Sequence, residues 1–387
     1  MKWETVKLID ICDFQGGTQP PKSSWSTEHK PGYVRMLQIR DFTQGKESFI
    51  EYVKDIKTLK KCNQEDILIG RYGASIGKIL TGLSGAYNVA LVKTVPTKRI
   101  SRRYLYFYLL SDTFQNFIQN AGSRAAQAGF NKEELGTLNI SLPPLDIQEQ
   151  IANTLDKADA LRRKNQELIT KYDKLAQAIF YDMFGDPVKN EMGWPLKTIQ
   201  QLVIKSRHSI KRGPFGGALK KEIFVDKGYL VFEQYHALNN DFSFERYYIT
   251  QEKYNELIAF NVEPGDIIIS CSGVYLGKLA IVPKGVKKGI INQALLKVTL
   301  DQSIYKNDFF ITVFSHPNFK EKYFAADRGA AIPNFPPMSV FKEFKFISPP
   351  LALQEKYMQI TKKIKVSKTN LDNQPILFET LMNKYFS

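Results

Sequence analysis

The chain has 387 residues, 43% hydrophobic and 24% charged, with a formal net charge of +15. That length suits two or three domains and that composition can fill their cores, which excludes a disordered chain, while the basic excess favours a polyanionic partner. No 18 apolar residues run together and the start, MKWETVKLIDIC, lacks a signal-like apolar core, so no membrane contact is expected and a cytoplasmic location is.

The first globular part, about Lys2 to Pro144, opens with Trp3, Leu8 and Ile11 and a turn at Gly16-Gly17. Short apolar runs, DILIG (Asp66 to Gly70) and ALVKTV (Ala90 to Val95), read as strands, and Arg102 to Gln119 has helical spacing. After Pro143-Pro144, Asp146 with Glu149 three residues on reads as a capping box for an unbroken helix to Phe184, which Gly185-Asp186-Pro187 stops. Its apolar stripe, Ile151, Leu155, Leu161, Leu168, Tyr172, Leu175 and Ile179, has the three-and-four spacing of a coiled-coil seam, with Asn165 as a polar position in it.

The rest of the chain repeats this pattern. Trp194, Ile199 and Leu202 match Trp3, Leu8 and Ile11, and Gly216-Gly217 is aligned with Gly16-Gly17. GDIIISCSGVYLGK (Gly265 to Lys278) matches EDILIGRYGASIGK (Glu65 to Lys78), and Asn292-Gln293-Ala294 matches Asn88-Val89-Ala90. RGAAIPNF (Arg328 to Phe335) follows SRAAQAGF (Ser123 to Phe130), and SPPLALQEKYM (Ser348 to Met358) follows LPPLDIQEQIA (Leu142 to Ala152). The offset grows from 191 to 206 without a change of order, which is a tandem duplication with small insertions in the second copy. The second helix carries Ile360, Ile364, Leu371, Phe378 and Leu381 on its seam, with Ser367 and Gln374 as polar positions, Ala352 where the first copy has Asp146, and a break expected between Leu371 and Pro375. Two such stripes bury most readily against each other.

The fold class is therefore α+β: a tandem repeat of two α+β domains, each followed by a long helix, with the two helices pairing as an antiparallel coiled coil. The expected divisions are 1–144, 145–187, 188–350 and 351–387. Asp146 to Phe184 has six basic and seven acidic residues, and Leu351 to Ser387 six and three, so the helices hold +2 of the +15 and the globular parts +13. There, basic, amide and aromatic residues suited to phosphates and base edges make the candidate DNA-binding set. In the first copy it is Lys22, Arg35, Gln38, Arg40, Arg71, Tyr72, Arg124, Gln127, Asn131 and Lys132. In the second it is Arg207, Lys211, Arg212, Lys220, Lys221, Gln234, His236, Tyr275, Lys278, Arg328 and Asn334.

Catalytic signatures are not legible. Around Gly73, Gly77 and Lys78, and Gly277 and Lys278, the phosphate-loop pattern fails, because Tyr72 and Ser272 stand at its first glycine and Ile79 and Leu279 at its magnesium-binding hydroxyl. These read as tight turns between strands. His29, His208, His236 and His316 lack metal-ligand spacing, as do Cys12, Cys62 and Cys271, and no GxGxxG opens a helix.

The two α+β parts, each running through a PPL-x-x-Q-E segment into a long helix, with FYDMFGDP closing the first, resemble type I restriction-modification specificity subunits over the whole chain. LPPLDIQEQIANTLDKADALRRKNQEL (Leu142 to Leu168), GRYGASIGK and SGVYLGK carry the likeness. The resemblance implies two target recognition domains, each reading one half of a split site in double-stranded DNA, spaced by the helix pair. It implies two methyltransferase subunits on this frame, which bind S-adenosylmethionine while this chain binds no cofactor, and two motor-nuclease subunits that can join for restriction. Alternative readings are a DNA-modifying enzyme with its own active site and a coiled-coil scaffold indifferent to DNA sequence.

Overall fold

The structure, a computed structural model, describes residues 3–45, 49–124, 129–215, 217–273, 275–324, 335–372 and 376–387, the side chains of 121–124 and 376 excepted. Contacts group the chain into two units, Met1–Leu168 with Asn370–Ser387, and Ile169–Thr369. This grouping differs from the division read from sequence pattern, because each helical segment is assigned with the core it packs on.

In the first unit an antiparallel sheet runs in the order Cys12–Gly16, Leu91–Pro96, Leu68–Gly70, Ile79–Leu80. A second sheet runs Trp25–Ser26, Tyr52–Lys54, Tyr33–Leu37, Gly85–Tyr87, Lys61–Cys62, and Tyr33–Leu37 lies parallel to Gly85–Tyr87. Glu4–Lys7 pairs with Asn139–Leu142. The second unit has the same plan: Ile210–Arg212, Leu295–Val298, Ile267–Ser270, Leu279–Ile281 in one sheet, and Tyr248–Ile249, Tyr229–Phe232, Gly289–Ile291, Asn261–Val262 in the other. Leu196–Thr198 pairs with Lys345–Ile347. The duplication read from sequence is thus a duplication of topology.

One alignment changes. Gly17 donates its N–H to Leu91 O at 3.0 Å, and the residue that does the same in the second unit is Gly213, to Leu295 O at 2.9 Å. A Cβ on Gly17 would stand 2.0 Å from Asn88 O, and one on Gly213 would stand 1.9 Å from Asn292 O. The glycine is demanded by this close approach of two backbones, so Gly17 corresponds to Gly213 and not to Gly217. Gly216, the other half of the aligned pair, lies outside the described residues.

Aromatic helices fill the cores. Arg102–Leu110, capped by Ser101 through Tyr104 N–H, buries Tyr104, Phe107 and Tyr108. Asn307–Ser315 buries Phe309, Phe310, Val313 and Phe314. Ile267–Ser270 is buried at all four residues, which is why it reads as an unbroken apolar run and not as an alternation.

The central helix spans Leu145–Phe184, about 60 Å at ~1.5 Å per residue. Asp146 lies inside its first turn instead of ahead of it, since Ile147 and Gln148 already donate to Pro144 O; the expected capping box is replaced by Pro144 and a buried Gln148. The equivalent helix starts at Leu351 despite Ala352, with Leu353 and Gln354 donating to Pro350 O. The described helical segments are Leu351–Asp372 and Ile376–Phe386, and the residues between them, Gln374 and Pro375 of the expected break included, lie outside the described residues.

Within the second unit, Phe184 packs on Tyr357 at 5.5 Å between ring centroids, and Asp173 pairs with Lys368. Rising numbers on one helix face falling numbers on the other, so the helices run antiparallel. Within the first unit, Arg162 lies over Phe378, and Phe386 packs on Tyr104 at 5.1 Å.

The seam is narrower than the sequence suggests. Ile151, Leu155 and Ile364 are buried, and Tyr172, Ile179, Ile360, Leu371, Phe378 and Leu381 are half-buried. Leu161, Leu168 and Leu175, expected on it, are 45%, 42% and 46% exposed, whereas Asn165 is buried. Two paired helices cover only a narrow stripe of each other, and the buried Ala158 and Asn165 with the half-buried Tyr172 and Ile179 take it, leaving the heptad leucines on its flank.

Candidate nucleic-acid interface

The candidate residues divide by what already holds them. Arg35 pairs with Asp41 at 2.8 Å, Gln38 donates to Glu51 at 2.6 Å, and Arg40 pairs with Glu51 while its guanidinium lies 3.9 Å over Phe49. These three, expected as readers, are tied into one acidic network that shapes the turn after Tyr33–Leu37. Asn131 is an N-cap that accepts from Glu134 N–H, and Lys132 pairs with Asp13. Lys132 and the Phe14 N–H hold the Asp13 carboxyl below the usual carboxylate range.

In the second unit His236 is wholly buried. Its Nδ1 accepts from Glu233 N–H at 3.0 Å, and Nε2 lies 2.9 Å from Phe244 O, so it caps a short helix and does not reach solvent. That corrects its place among the readers. It takes the position of Asp41, which accepts from Gln38 N–H at 2.8 Å in the first unit. Gln234, half-buried, gives its amide N–H groups to Ser270 Oγ and Ser272 O, both at 2.6 Å. Sequence pattern cannot separate such framework amides and imidazoles from readers, because both are polar residues beside a strand end.

What stays available is a smaller set. Lys22 is exposed beside Trp25, and Arg207, Lys220, Lys221 and Lys278 are exposed. Tyr72 is 38% exposed and Tyr275 55%. Lys211 is half-buried over Phe260 at 4.8 Å. Burial first, and the positive charge of Lys278 second, hold the Lys320 ammonium below the usual lysine range. Arg124 in its side chain, and Gln127, Arg328 and Asn334 entirely, lie outside the described residues.

Ion pairing sorts the arginines further. Arg35, Arg40, Arg99, Arg102, Arg103, Arg162, Arg163 and Arg246 each face a carboxylate. Among the described residues Arg71, Arg207 and Arg212 do not. Arg71 Nε donates to Phe130 O at 3.1 Å and its guanidinium lies 5.0 Å over Tyr72; that of Arg212 lies 5.1 Å over Phe215. Phe215, 62% exposed, was missed by the sequence reading, and only its aromatic side chain beside Arg212 marked it.

The glycine-rich segments are turns joining antiparallel strands. Gly70 and Ser270 donate to Lys78 O and Lys278 O, and Gly77 and Gly277, at φ of +76° and +72°, donate back to Gly70 O and Ser270 O. With their amides engaged there, they do not cradle a phosphate. Among the described residues no group of three His, Cys, Asp or Glu is placed to hold a metal ion. Burial pushes the Cys12 and Cys271 thiols up to about 12 and Cys62 to about 11, the opposite of what a nucleophile needs. No helix is long and apolar enough to cross a membrane among the described residues.

Residues 1–171 match the family model of the type I restriction modification DNA specificity domain. The chain is 24% identical over 323 residues to the type I restriction enzyme MjaVIII specificity subunit of Methanocaldococcus jannaschii, covering 79% of this chain and 72% of that one. It is 30% identical over 185 residues to a putative MjaX specificity subunit of the same organism, covering 44% and 41%. In fold it resembles a type I restriction-modification S subunit from M. genitalium, with a TM-score of 0.56 at 16% identity over 100% of this chain and 96% of that one. A chain solved in a study of type I complex assembly and conformational transition gives 0.59 at 15% identity, covering 100% and 97%.

Proposed function

Because the chain belongs to the type I restriction-modification specificity subunits, we propose that its two repeats each read one half of a split DNA site and that it performs no chemistry itself. One observation carries this reading: the same two-sheet topology occurs twice, with different side chains at equivalent turns. The exposed Tyr72 stands where the second copy has Ser272. A shared frame with divergent exposed groups suits two different half-sites of one duplex.

In this reading the recognition domains are 1–144 and 188–350, and 145–187 and 351–387 are the spacers. Lys22, Arg71, Tyr72, Arg207, Lys211, Arg212, Lys220, Lys221, Tyr275 and Lys278 are its DNA-facing residues, joined by Arg124, Gln127, Arg328 and Asn334. Two methyltransferase subunits, which hold S-adenosylmethionine, dock on the helices, and two motor-nuclease subunits join for restriction. The exposed leucines at 161, 168 and 175 suit a helical partner.

The test is to co-express the chain with a methyltransferase subunit of its own system and map methylated adenines. A split asymmetric motif is expected, and replacing residues 1–144 by those of a relative should change one half of it. Loss of both halves, or of neither, would refute modular reading.

A further inference from the structure

The strand registers reveal an exchange of arginines between the two repeats, and its meaning rests on the DNA-binding reading above. Gly16 pairs with Val92, which pairs with Ile69; Arg212 pairs with Leu296, which pairs with Ile269. Gly16 and Arg212 are therefore equivalent. Arg71 and Cys271 are equivalent too, donating their N–H groups to Ala90 O at 2.9 Å and Ala294 O at 2.8 Å.

In the first unit Arg71 Nη1 lies 3.8 Å from where a Cβ on Gly16 would stand. In the second unit that position carries Arg212 itself, while Cys271 replaces Arg71 and feels the Arg212 charge at its thiol. Each repeat thus brings one guanidinium to the same neighbourhood of the sheet, from opposite sides of the middle strand.

The surroundings agree. Each guanidinium lies about one ring distance over an exposed aromatic, Tyr72 at 5.0 Å and Phe215 at 5.1 Å. Each is half-buried and has no carboxylate partner among the described residues. A partly desolvated charge without a counter-charge costs stability, so its presence in both copies through different residues marks a place that must be positive. In Arg71 the Nε bond to Phe130 O orients the group and leaves the two terminal nitrogens as a fork.

The exposed turns of the two copies differ, as readers of different half-sites must, but this charge does not. A group common to both has a target common to both, and the feature that two different half-sites share is the backbone. We propose that Arg71 and Arg212 are equivalent phosphate clamps, each gripping the DNA backbone of its own half-site.

The test uses the full chain and a fluorescein-labelled mixed-sequence duplex of about 40 base pairs, with affinity measured by anisotropy across a series of salt concentrations. Arg71→Ala and Arg212→Ala should each weaken binding several-fold and lower the salt slope by about one unit, while Arg71→Lys and Arg212→Lys keep the slope. Arg99→Ala, which removes an arginine already paired with Glu4, should leave the slope unchanged. The decisive variant moves the second copy's arrangement into the first: Arg71→Cys should lose one unit of slope, and Gly16→Arg added to it should restore that unit. Unchanged slopes for Arg71→Ala and Arg212→Ala, an equal fall for Arg99→Ala, or failure of Gly16→Arg to restore the slope in a folded protein would overturn the assignment while leaving DNA binding intact. A wild-type chain that binds no duplex would overturn the assignment together with the reading it rests on.

Discussion

Gln148 and Gln354 make the same three hydrogen bonds in the two repeats. Gln148 Oε1 accepts from Ser101 N–H at 2.7 Å, and its Nε2 donates to Arg99 O at 3.0 Å and Pro143 O at 2.8 Å. Gln354 Oε1 accepts from Lys306 N–H at 3.0 Å, and its Nε2 donates to Ile304 O at 3.2 Å and Pro349 O at 2.9 Å. Both are wholly buried, so the glutamine of each PPL-x-x-Q-E segment fastens the start of a long helix to the loop before a core helix.

Replacing either glutamine leaves an N–H and two carbonyls without that partner. Gln148→Ala and Gln354→Ala should each cost about 2 to 4 kcal/mol in chemical denaturation. A loss below about 0.5 kcal/mol would mean that water takes over all three bonds.

The two close-approach glycines should behave alike. Gly17→Ala and Gly213→Ala each drive a Cβ into a backbone carbonyl, and a loss of about 2 to 3 kcal/mol is expected from forced separation of the strands. Gly265→Ala supplies the contrast: its Cβ meets nothing within 4 Å, and strain arises only from its φ of +96°.

The helix surfaces should separate stability from assembly. Leu155 is wholly buried, so Leu155→Ala should cost about 2 to 5 kcal/mol. Leu168→Asp and Leu175→Asp, at exposed positions, should change the melting of the isolated chain by under about 1 kcal/mol. Pull-down with methyltransferase subunits should instead fall; retained association together with unchanged melting would remove these leucines from the docking surface.

His316 supplies a pH dependence with a definite sign. Burial holds its pKa below the ordinary 6.5, against the opposing pull of Asp186, and its Nδ1 accepts from Asn318 N–H at 3.2 Å. The fold therefore favours the neutral ring, and the unfolded chain takes up the proton first. Stability from this group is present above about pH 6.5 and falls as pH drops below that value toward the folded pKa. Denaturation midpoints between pH 7.5 and 5.5 should show the decline, and His316→Phe should flatten it.

How far sequence sufficed depended on the range of the interactions involved. Duplication, α+β class, the long helices and the glycine turns were legible because periodicity and collinear blocks are local or self-referring signals. The equivalence of Gly17 with Gly213 was not, since the demand for glycine arises from Asn88 and Asn292, residues more than 70 positions away in the chain. For the same reason His236 and Gln38 looked like readers: only the folded chain shows which polar groups already have partners. Leu168 and Leu175 fit the heptad as well as Tyr172 does, but a partner helix covers one narrow stripe, and packing chose which positions fill it. The exchange of Arg71 for Arg212 lay furthest from sequence, because a side chain reaching across a strand brings the same charge to the same neighbourhood from a different residue number.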